Sequence, residues 1–194
     1  MRLIGVTGSF CTGKTTVSRF FEKLGARVID ADKIVHRLYG RDKKVKRAIL
    51  KNFGSTVFTP AGGLDRRKLS KIAFSNRRNL NKLEAIIHPE VIKKIKKVVK
   101  FSKKSVIVID APLLIEANLH KVVDYIVVVK ATLAMQIERG IRRGFKKEDC
   151  LARRKLQMPL SKKIKYADFV IDNNRSREYT KKQVIRAWKA LTRR

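Results

Sequence analysis

The sequence is poor in cysteine and has no long apolar run. Its two cysteines, Cys11 and Cys150, are too few for a disulfide framework or for a cysteine-based zinc site. No apolar stretch approaches the roughly 20 residues that a membrane-spanning helix needs. The N-terminus enters a strand pattern without the features of a cleavable signal. We therefore expect a cytoplasmic protein that has no membrane as a partner.

Acidic residues are also scarce. Asp and Glu number 16 against 48 Lys and Arg, which gives a formal net charge of +32 and an isoelectric point near 10.8. The shortage of acids excludes a network of matched surface ion pairs. Two interpretations stay open, namely nucleic-acid binding through basic patches and a biased surface around an anion-binding site. Aromatic residues do not interleave with the basic runs as stacking surfaces would, which favours the second interpretation.

A phosphate-binding motif lies almost at the N-terminus. It has the Walker A spacing G-x-x-x-x-G-K-T and reads Gly8, Ser9, Phe10, Cys11, Thr12, Gly13, Lys14 and Thr15. Gly8 and Gly13 allow the backbone to curl tightly around phosphate oxygens. An apolar run precedes the motif and a helical pattern follows it, so that a helix start would face the phosphates. The motif predicts a nucleoside triphosphate site.

Acidic residues close two of the predicted strands. The earlier of these two strands, 26–32, ends in Asp30 and Asp32, which lie on one side of an extended backbone unless the chain bends. Either carboxylate could orient an attacking hydroxyl or, equally well, cap the following helix. The strand 105–110 ends in Asp110, which is a candidate Mg²⁺ ligand or, alternatively, a cap before Pro112.

Two further segments are predicted to be mainly helical. Residues 33–100 are basic and hold more helix than a crossover between strands needs, so we expect an inserted helical subdomain. Within it, Pro89 is expected to occupy the first turn of a helix. Near the other end of the chain, Gly140 and Gly144 interrupt a helical pattern and make it less rigid, as a moving lid requires.

An ordered set of motifs resembles the dephospho-coenzyme A kinase family over essentially the whole chain. The set comprises residues 8–15, the strand end 28–32, Leu64-Asp65-Arg66, Leu83-Glu84 before His88-Pro89, Asp110-Ala111-Pro112-Leu113-Leu114 with Glu116, Gln136 with Arg139, Gln157, Ala167-Asp168 and Asp172-Asn173. The phosphate loop alone would suit many NTPases. Its combination with the later motifs makes the resemblance specific.

The resemblance implies an α/β fold of the P-loop NTPase type, with three layers and a five-stranded parallel sheet. The kinase core would comprise 1–32, 105–133 and 160–194. Residues 33–104 would form the helical acceptor-binding insertion, and 134–159 the lid region. The implied reaction transfers the γ-phosphoryl group of ATP to the ribose 3′-hydroxyl of dephospho-coenzyme A, which gives coenzyme A. The chain would be a monomer or a weak homo-oligomer.

The resemblance also implies roles for single residues. Lys14, Asp32 and Arg139 would be catalytic, and Thr15 and Asp110 would serve Mg²⁺. ATP would contact Gly8, Ser9, Phe10, Cys11, Thr12, Gly13, Lys14, Thr15, Thr16, Arg143 and Asn173. The acceptor would contact Asp32, Arg66, His88 and Pro112.

The phosphate loop departs from the family in one place. Ser9, Phe10 and Cys11 stand where the family usually has Gly-Ile-Gly or a similar run. The departure keeps the Walker spacing but adds a bulky ring and a thiol, which would be open to oxidation if exposed. Two alternative functions remain, namely a small P-loop kinase acting on another nucleoside or nucleotide, and a basic nucleic-acid-associated NTPase.

Overall fold

A computed structural model describes residues 1–73 and 75–193 of the chain. Arg194, the last residue of the predicted core, lies outside the described residues. The strands are β1 (Arg2–Gly8), β2 (Arg27–Asp30), β3 (Val106–Asp110), β4 (Tyr125–Lys130) and β5 (Phe169–Asp172). The helices are α1 (Lys14–Lys23), α2 (Ala31–Arg41), α3 (Lys43–Phe53), α4 (Arg66–Ala73), α5 (Arg77–Lys100), α6 (Leu133–Ile141), α7 (Lys147–Lys155), α8 (Leu160–Ile164) and α9 (Arg177–Thr192).

Within the described residues, the strands form one five-stranded sheet in the order β2-β3-β1-β4-β5, and every neighbouring pair is parallel. The central strands are almost uniformly apolar because helices cover both faces of a parallel sheet. Strand β3, for example, is Val-Ile-Val-Ile-Asp with its four apolar residues buried. The predicted α/β fold with a five-stranded parallel sheet is confirmed.

The chain divides into two compact units, one of residues 1–30 and 103–194 and the other of residues 31–102. In the first unit, α1 and α9 pack together against one face of the sheet. Their apolar residues join those of the strands in a core that includes Ile4, Val6, Phe21, Val108 and Val184. Because the strands are parallel, the loops that follow them lie at one edge of the sheet.

The second unit consists mainly of helices, with α5 packed against α2, α3 and α4. Buried aliphatic residues of α5, such as Leu83, Val91 and Ile95, recur at helical spacing and form its core-facing side. None of the helices in the described part of the chain combines the length and the apolarity that crossing a lipid bilayer requires.

Two local predictions are wrong. The predicted strand 26–32 is too long: β2 ends at Asp30 and α2 begins at Ala31, so that the chain bends there and Asp32 lies in the first helical turn. Pro89 lies inside α5 instead of starting a helix. Proline removes one helical N–H bond, but α5 packs against three other helices, and this packing outweighs the local cost.

Candidate active site

The phosphate loop joins β1 to α1 in a conformation that its two glycines permit. Gly13 has φ +94°, and a Cβ there would lie 2.0 Å from Nδ2 of Asn173. A Cβ on Gly8 would lie 2.4 Å from the carbonyl oxygen of Val129 on β4. Glycine is therefore required at both positions by close contacts as well as by backbone conformation. The result is a tight turn that leads into the N-terminus of α1, where helical N–H groups lack intrahelical acceptors.

The loop is tightened by bonds to the carbonyl oxygen of Ser9. Thr12 Oγ1 and Lys14 Nζ both donate to this oxygen, each at a distance of 3.0 Å. Thr16 N and Val17 N donate to Gly13 O, which begins the α1 ladder. Lys14 thus curls back over its own loop, on the side where phosphate oxygens would lie. A cation beside the N-terminus of a helix favours a polyphosphate ligand.

Arg139 and Asn173 both contact the phosphate loop at Thr12. Both donate to the carbonyl oxygen of Thr12, Arg139 Nη1 over 3.2 Å and Asn173 Nδ2 over 2.8 Å. Arg139 Nη2 also donates to Asn173 O over 2.7 Å, and Asn173 Oδ1 accepts from Thr180 Oγ1 over 2.8 Å. The buried Asn173 side chain is therefore engaged by protein on both sides. It supports the phosphate loop, and its predicted contact with ATP stays a prediction.

Two carboxylates meet at the carboxyl edge of the sheet. Asp30 and Asp110 are register partners on the neighbouring strands β2 and β3. Asp110 Oδ2 accepts a 2.9 Å hydrogen bond from Ser18 Oγ on α1. Ser18 and Thr15 are three residues apart and so share a face of α1, which places the Thr15 hydroxyl on the side of α1 that meets Asp110.

This donor set suits Mg²⁺ bound together with a nucleotide. In the described residues, His, Cys, Asp and Glu form no group of three or more that could hold a metal alone. Mg²⁺ commonly takes only one or two protein oxygens and completes its shell with phosphate and water. A hydroxyl from Thr15 and a carboxylate from Asp110, beside a phosphate loop, fit that mode of binding.

The unusual residues of the loop pack against the segment that follows α6. The Phe10 ring meets the Phe145 ring edge-on with centroids 5.4 Å apart. The Arg153 guanidinium lies over both rings, 4.8 Å from the Phe145 centroid and 5.7 Å from that of Phe10. Phe10 thus gives the loop an aromatic contact with the predicted lid region, 134–159.

Cys11 takes a left-handed backbone conformation, with φ +54°, that glycine usually adopts. Its thiol is buried, and burial raises its pKa, while the nearby Arg143 guanidinium opposes this rise. Arg143 Nη1 lies 4.0 Å from Cys11 Sγ. Because the reactive form of a cysteine is the exposed thiolate, the condition for oxidation that the sequence suggested is not met.

Gly140 has a packing role that the sequence did not reveal. A Cβ there would lie 2.3 Å from Cys150 Sγ, so the absence of a side chain lets α6 and α7 approach closely. Gly140 also remains within regular helix. The prediction that Gly140 makes this helix less rigid stays a prediction.

A buried lysine ties the turn after β3 to the end of the predicted lid region. Lys163 Nζ lies 2.9 Å from Glu116 Oε1 and also donates to the carbonyl oxygen of Pro112. Glu116 Oε1 accepts from Met158 N over 2.9 Å. Burial lowers the pKa of Lys163, and the Glu116 carboxylate opposes this shift. Pro112 O also accepts from Thr7 Oγ1 over 3.2 Å, so Pro112 is held at the edge of the sheet beside β1.

The second unit carries a polar cluster on one face of α2. Residues 32, 36 and 39 share that face because a helix turns by about 100° per residue. Arg66 Nη1 lies 2.8 Å from His36 Nε2. Burial raises the pKa of Tyr39 to about 12, and the nearby Arg66 charge opposes this shift. The structure thus places the predicted Arg66 beside His36 and Tyr39. These two residues were not identified from the sequence, although their helical spacing from Asp32 could have indicated them.

His88 lies on α5, half-buried and one turn after Glu84. Burial lowers the pKa of its imidazole, and the Glu84 carboxylate opposes this effect. A neutral imidazole can both donate and accept a hydrogen bond. The side chain could therefore contact a polar substrate without adding charge.

Comparisons with known proteins agree with this geometry. The family model described as dephospho-CoA kinase matches residues 2–178. The chain is 42% identical to the dephospho-CoA kinase of Aquifex aeolicus over 194 residues, which cover 100% of this chain and 99% of that protein. It is likewise 42% identical to the dephospho-CoA kinase of Carboxydothermus hydrogenoformans, with coverage of 94% and 91%.

Solved structures show the same fold. A crystal structure of a Thermus thermophilus protein superposes with a TM-score of 0.87 at 28% identity and covers 100% of this chain and 98% of its own. A shikimate kinase from Acinetobacter baumannii shares the fold with a TM-score of 0.55 at 16% identity, with coverage of 98% and 93%. The P-loop NTPase fold is therefore confirmed. By the family match and by the curated relatives, the chain belongs to the dephospho-CoA kinase family.

Proposed function

We propose that this protein transfers the γ-phosphoryl group of ATP to the ribose 3′-hydroxyl of dephospho-coenzyme A and releases ADP and coenzyme A. The observation that carries the proposal is the phosphate loop itself, held at Thr12 O by Arg139 and Asn173 in a chain of this family. The loop accounts for the donor, and the family accounts for the acceptor.

The donor side relies on charge and position. Lys14 and the loop N–H groups would bind the β- and γ-phosphates, and Arg139 and Arg143 would face the charge that develops on the transferred group. Arg139 is anchored to Thr12 O and Asn173 O. An anchored guanidinium keeps its place as charge builds up, which is what electrostatic catalysis requires.

Thr15 and Asp110 would hold Mg²⁺ beside the phosphates. When bound, the ion would neutralise phosphate charge and orient the transferred group. The Ser18–Asp110 hydrogen bond leaves Asp110 with a fixed side-chain orientation. The alternative role of Asp110 as a helix cap is less favoured, because in the described residues no helix begins directly after β3.

On the acceptor side, Asp32 would orient the 3′-hydroxyl and accept its proton. The oxygen of that hydroxyl then bonds to the γ-phosphorus as the bond to the bridging β–γ oxygen breaks, and ADP leaves. Arg66 would bind the anionic part of the acceptor, with His36 holding the guanidinium. His88 and Pro112 remain predicted acceptor contacts. The predicted insertion, 33–104, would thus bind the acceptor.

The predicted lid, 134–159, would close over ATP and exclude water. Phe10, Phe145 and Arg153 form the aromatic contact between this region and the phosphate loop. Closure would favour transfer to the ribose hydroxyl over hydrolysis of ATP. The chain would act as a monomer or weak homo-oligomer.

The proposal is tested by coupled measurement of ADP release with dephospho-coenzyme A, adenosine and nucleoside monophosphates as acceptors. We expect a rate well above the ATP-only background with dephospho-coenzyme A alone. A rate at background with that acceptor would overturn the proposal, and a higher rate with a monophosphate would favour the alternative kinase.

The role of Asp32 is tested by a matched pair of substitutions in the same helical unit. Asp32→Asn should lower kcat by about 10²-fold or more, as expected for loss of a proton acceptor. Asp42→Asn, which changes an N-cap carboxylate of α3, should leave kcat nearly unchanged. Wild-type turnover in Asp32→Asn would remove the proposed role.

A further inference from the structure

A cavity of about 330 Å³ lies within the second unit, between α2 and α5. Its apolar lining comes from Ile34 and Leu38 of α2 and Val98 of α5, of which Leu38 is fully buried. The volume is at the lower end of the range for small-molecule sites, which are mostly apolar with a few polar groups at defined places. The cavity is therefore large enough for a small organic molecule.

Four cations surround this apolar surface. Arg37 and Arg41 come from α2, and Lys94 and Lys97 come from α5. Across residues 1–73 and 75–193, no carboxylate forms an ion pair with any of the four. The one acid in the lining, Asp42, accepts hydrogen bonds from N–H groups at the start of α3. The lining thus holds four cations against the single carboxylate of Asp42, an excess of positive charge.

The cavity lies on the side of α2 opposite to the proposed acceptor residues. One face of α2, about 100° wide around the helix axis, carries residues 34, 37, 38 and 41. The opposite face carries residues 32, 36 and 39. A ligand in the cavity would therefore not occupy the place assigned to the acceptor hydroxyl.

We propose that this cavity binds an organic phosphate, with the phosphate between Arg37, Arg41, Lys94 and Lys97 and the apolar part against the aliphatic lining. Arginine pairs with phosphate through two parallel hydrogen bonds, and lysine adds charge. An apolar lining without aromatic rings suits an alkyl chain better than stacked bases. The cavity is a ligand site away from the place assigned to the acceptor hydroxyl, on the other side of α2.

The test uses hexyl phosphate as the probe, with inorganic phosphate and hexanol as its two separate halves. Backbone amide signals of the full chain are followed by two-dimensional NMR. Hexyl phosphate should shift signals from residues 34–42 and 94–98, and it should bind about tenfold or more tightly than inorganic phosphate, because its chain buries several methylenes. No shift in these two segments would overturn the proposal.

Two charge-matched double variants separate the cavity from general attraction to a basic protein. Arg41→Gln with Lys97→Gln should weaken hexyl phosphate binding about tenfold or more. Lys93→Gln with Lys96→Gln removes the same charge from exposed positions of α5 outside the lining and should change binding by less than about twofold.

Equal weakening in both double variants would show attraction to the net charge alone and would overturn the proposal. Circular dichroism checks that each variant is folded. If the first pair disturbs the fold, Lys94→Gln alone should still weaken hexyl phosphate binding, and unchanged binding there would count against the site.

Discussion

Replacing Gly13 by alanine should test how the phosphate loop is held in place. An alanine at this position would have a strained backbone, because φ is +94°, and its Cβ would lie 2.0 Å from Asn173 Nδ2. The strained backbone costs about 1–3 kcal/mol. Asn173 must also move, which breaks its hydrogen bonds with Thr12 O and Thr180 Oγ1. Each buried bond lost costs about 1–3 kcal/mol, so that the displacement adds about 2–6 kcal/mol.

Gly25→Ala provides the matched control. Gly25 has φ +106°, and a Cβ there would meet nothing within 4 Å. It therefore carries a similar backbone cost without the displaced amide. At about 2–4 °C per kcal/mol for a chain of this size, Gly13→Ala should melt at least about 4 °C below Gly25→Ala in a thermal unfolding experiment.

The double variant Gly13→Ala with Asn173→Ala completes the cycle. Because both single changes remove the same hydrogen bonds, their costs should overlap, and the double variant should lose less stability than the sum of the two. Equal melting temperatures for Gly13→Ala and Gly25→Ala would refute the reasoning. Strictly additive losses in the double variant would refute it as well.

Three further predictions concern other parts of the molecule. Arg139→Ala should lower kcat by about 10²-fold or more, whereas Arg142→Ala, which removes an exposed ion pair, should change it little; equal effects in steady-state assays would contradict the assignment. Burial lowers the pKa of His88, so that as pH falls below about 6.5 this imidazole is protonated in the unfolded chain before it is protonated in the folded one. The free energy of unfolding, measured by urea denaturation, should therefore fall with acidification, and it should fall less in His88→Gln. Lys163→Met should cost up to about 3–5 kcal/mol by leaving the largely buried Glu116 carboxylate without its cation. Adding Glu116→Leu should restore much of that loss in the same unfolding assay, and no recovery would count against the ion pair.

Much of the core was predictable because its signals are local. The apolar run of β3 and its terminal Asp110 indicate a buried parallel strand by composition alone. The phosphate motif likewise predicts the strand before it and the helix after it. Its glycines mark the tight turn between them, since only glycine fits positions 8 and 13. These features depend on backbone conformation and on residues that are close in the sequence, so that one sequence is enough to predict them.

Other features depend on contacts between distant segments. Asp32 was assigned to a strand because nothing between Ile29 and Lys33 marks where the extended backbone ends. Lys163 is one of 48 Lys and Arg residues, and no pattern indicates that it would be buried against Glu116. Gly140 was interpreted as a source of flexibility, and nothing near it in the sequence indicates its close contact with Cys150 on the next helix.

The position of the new phosphate on the acceptor tests the central claim most directly. The protein is incubated with ATP and dephospho-coenzyme A, and the product is examined by ³¹P and proton NMR while ADP is measured in parallel. We predict one new phosphomonoester on the ribose 3′-oxygen for each ADP released. Release of ADP with inorganic phosphate and unchanged dephospho-coenzyme A, or a phosphate at any other position, would contradict the account.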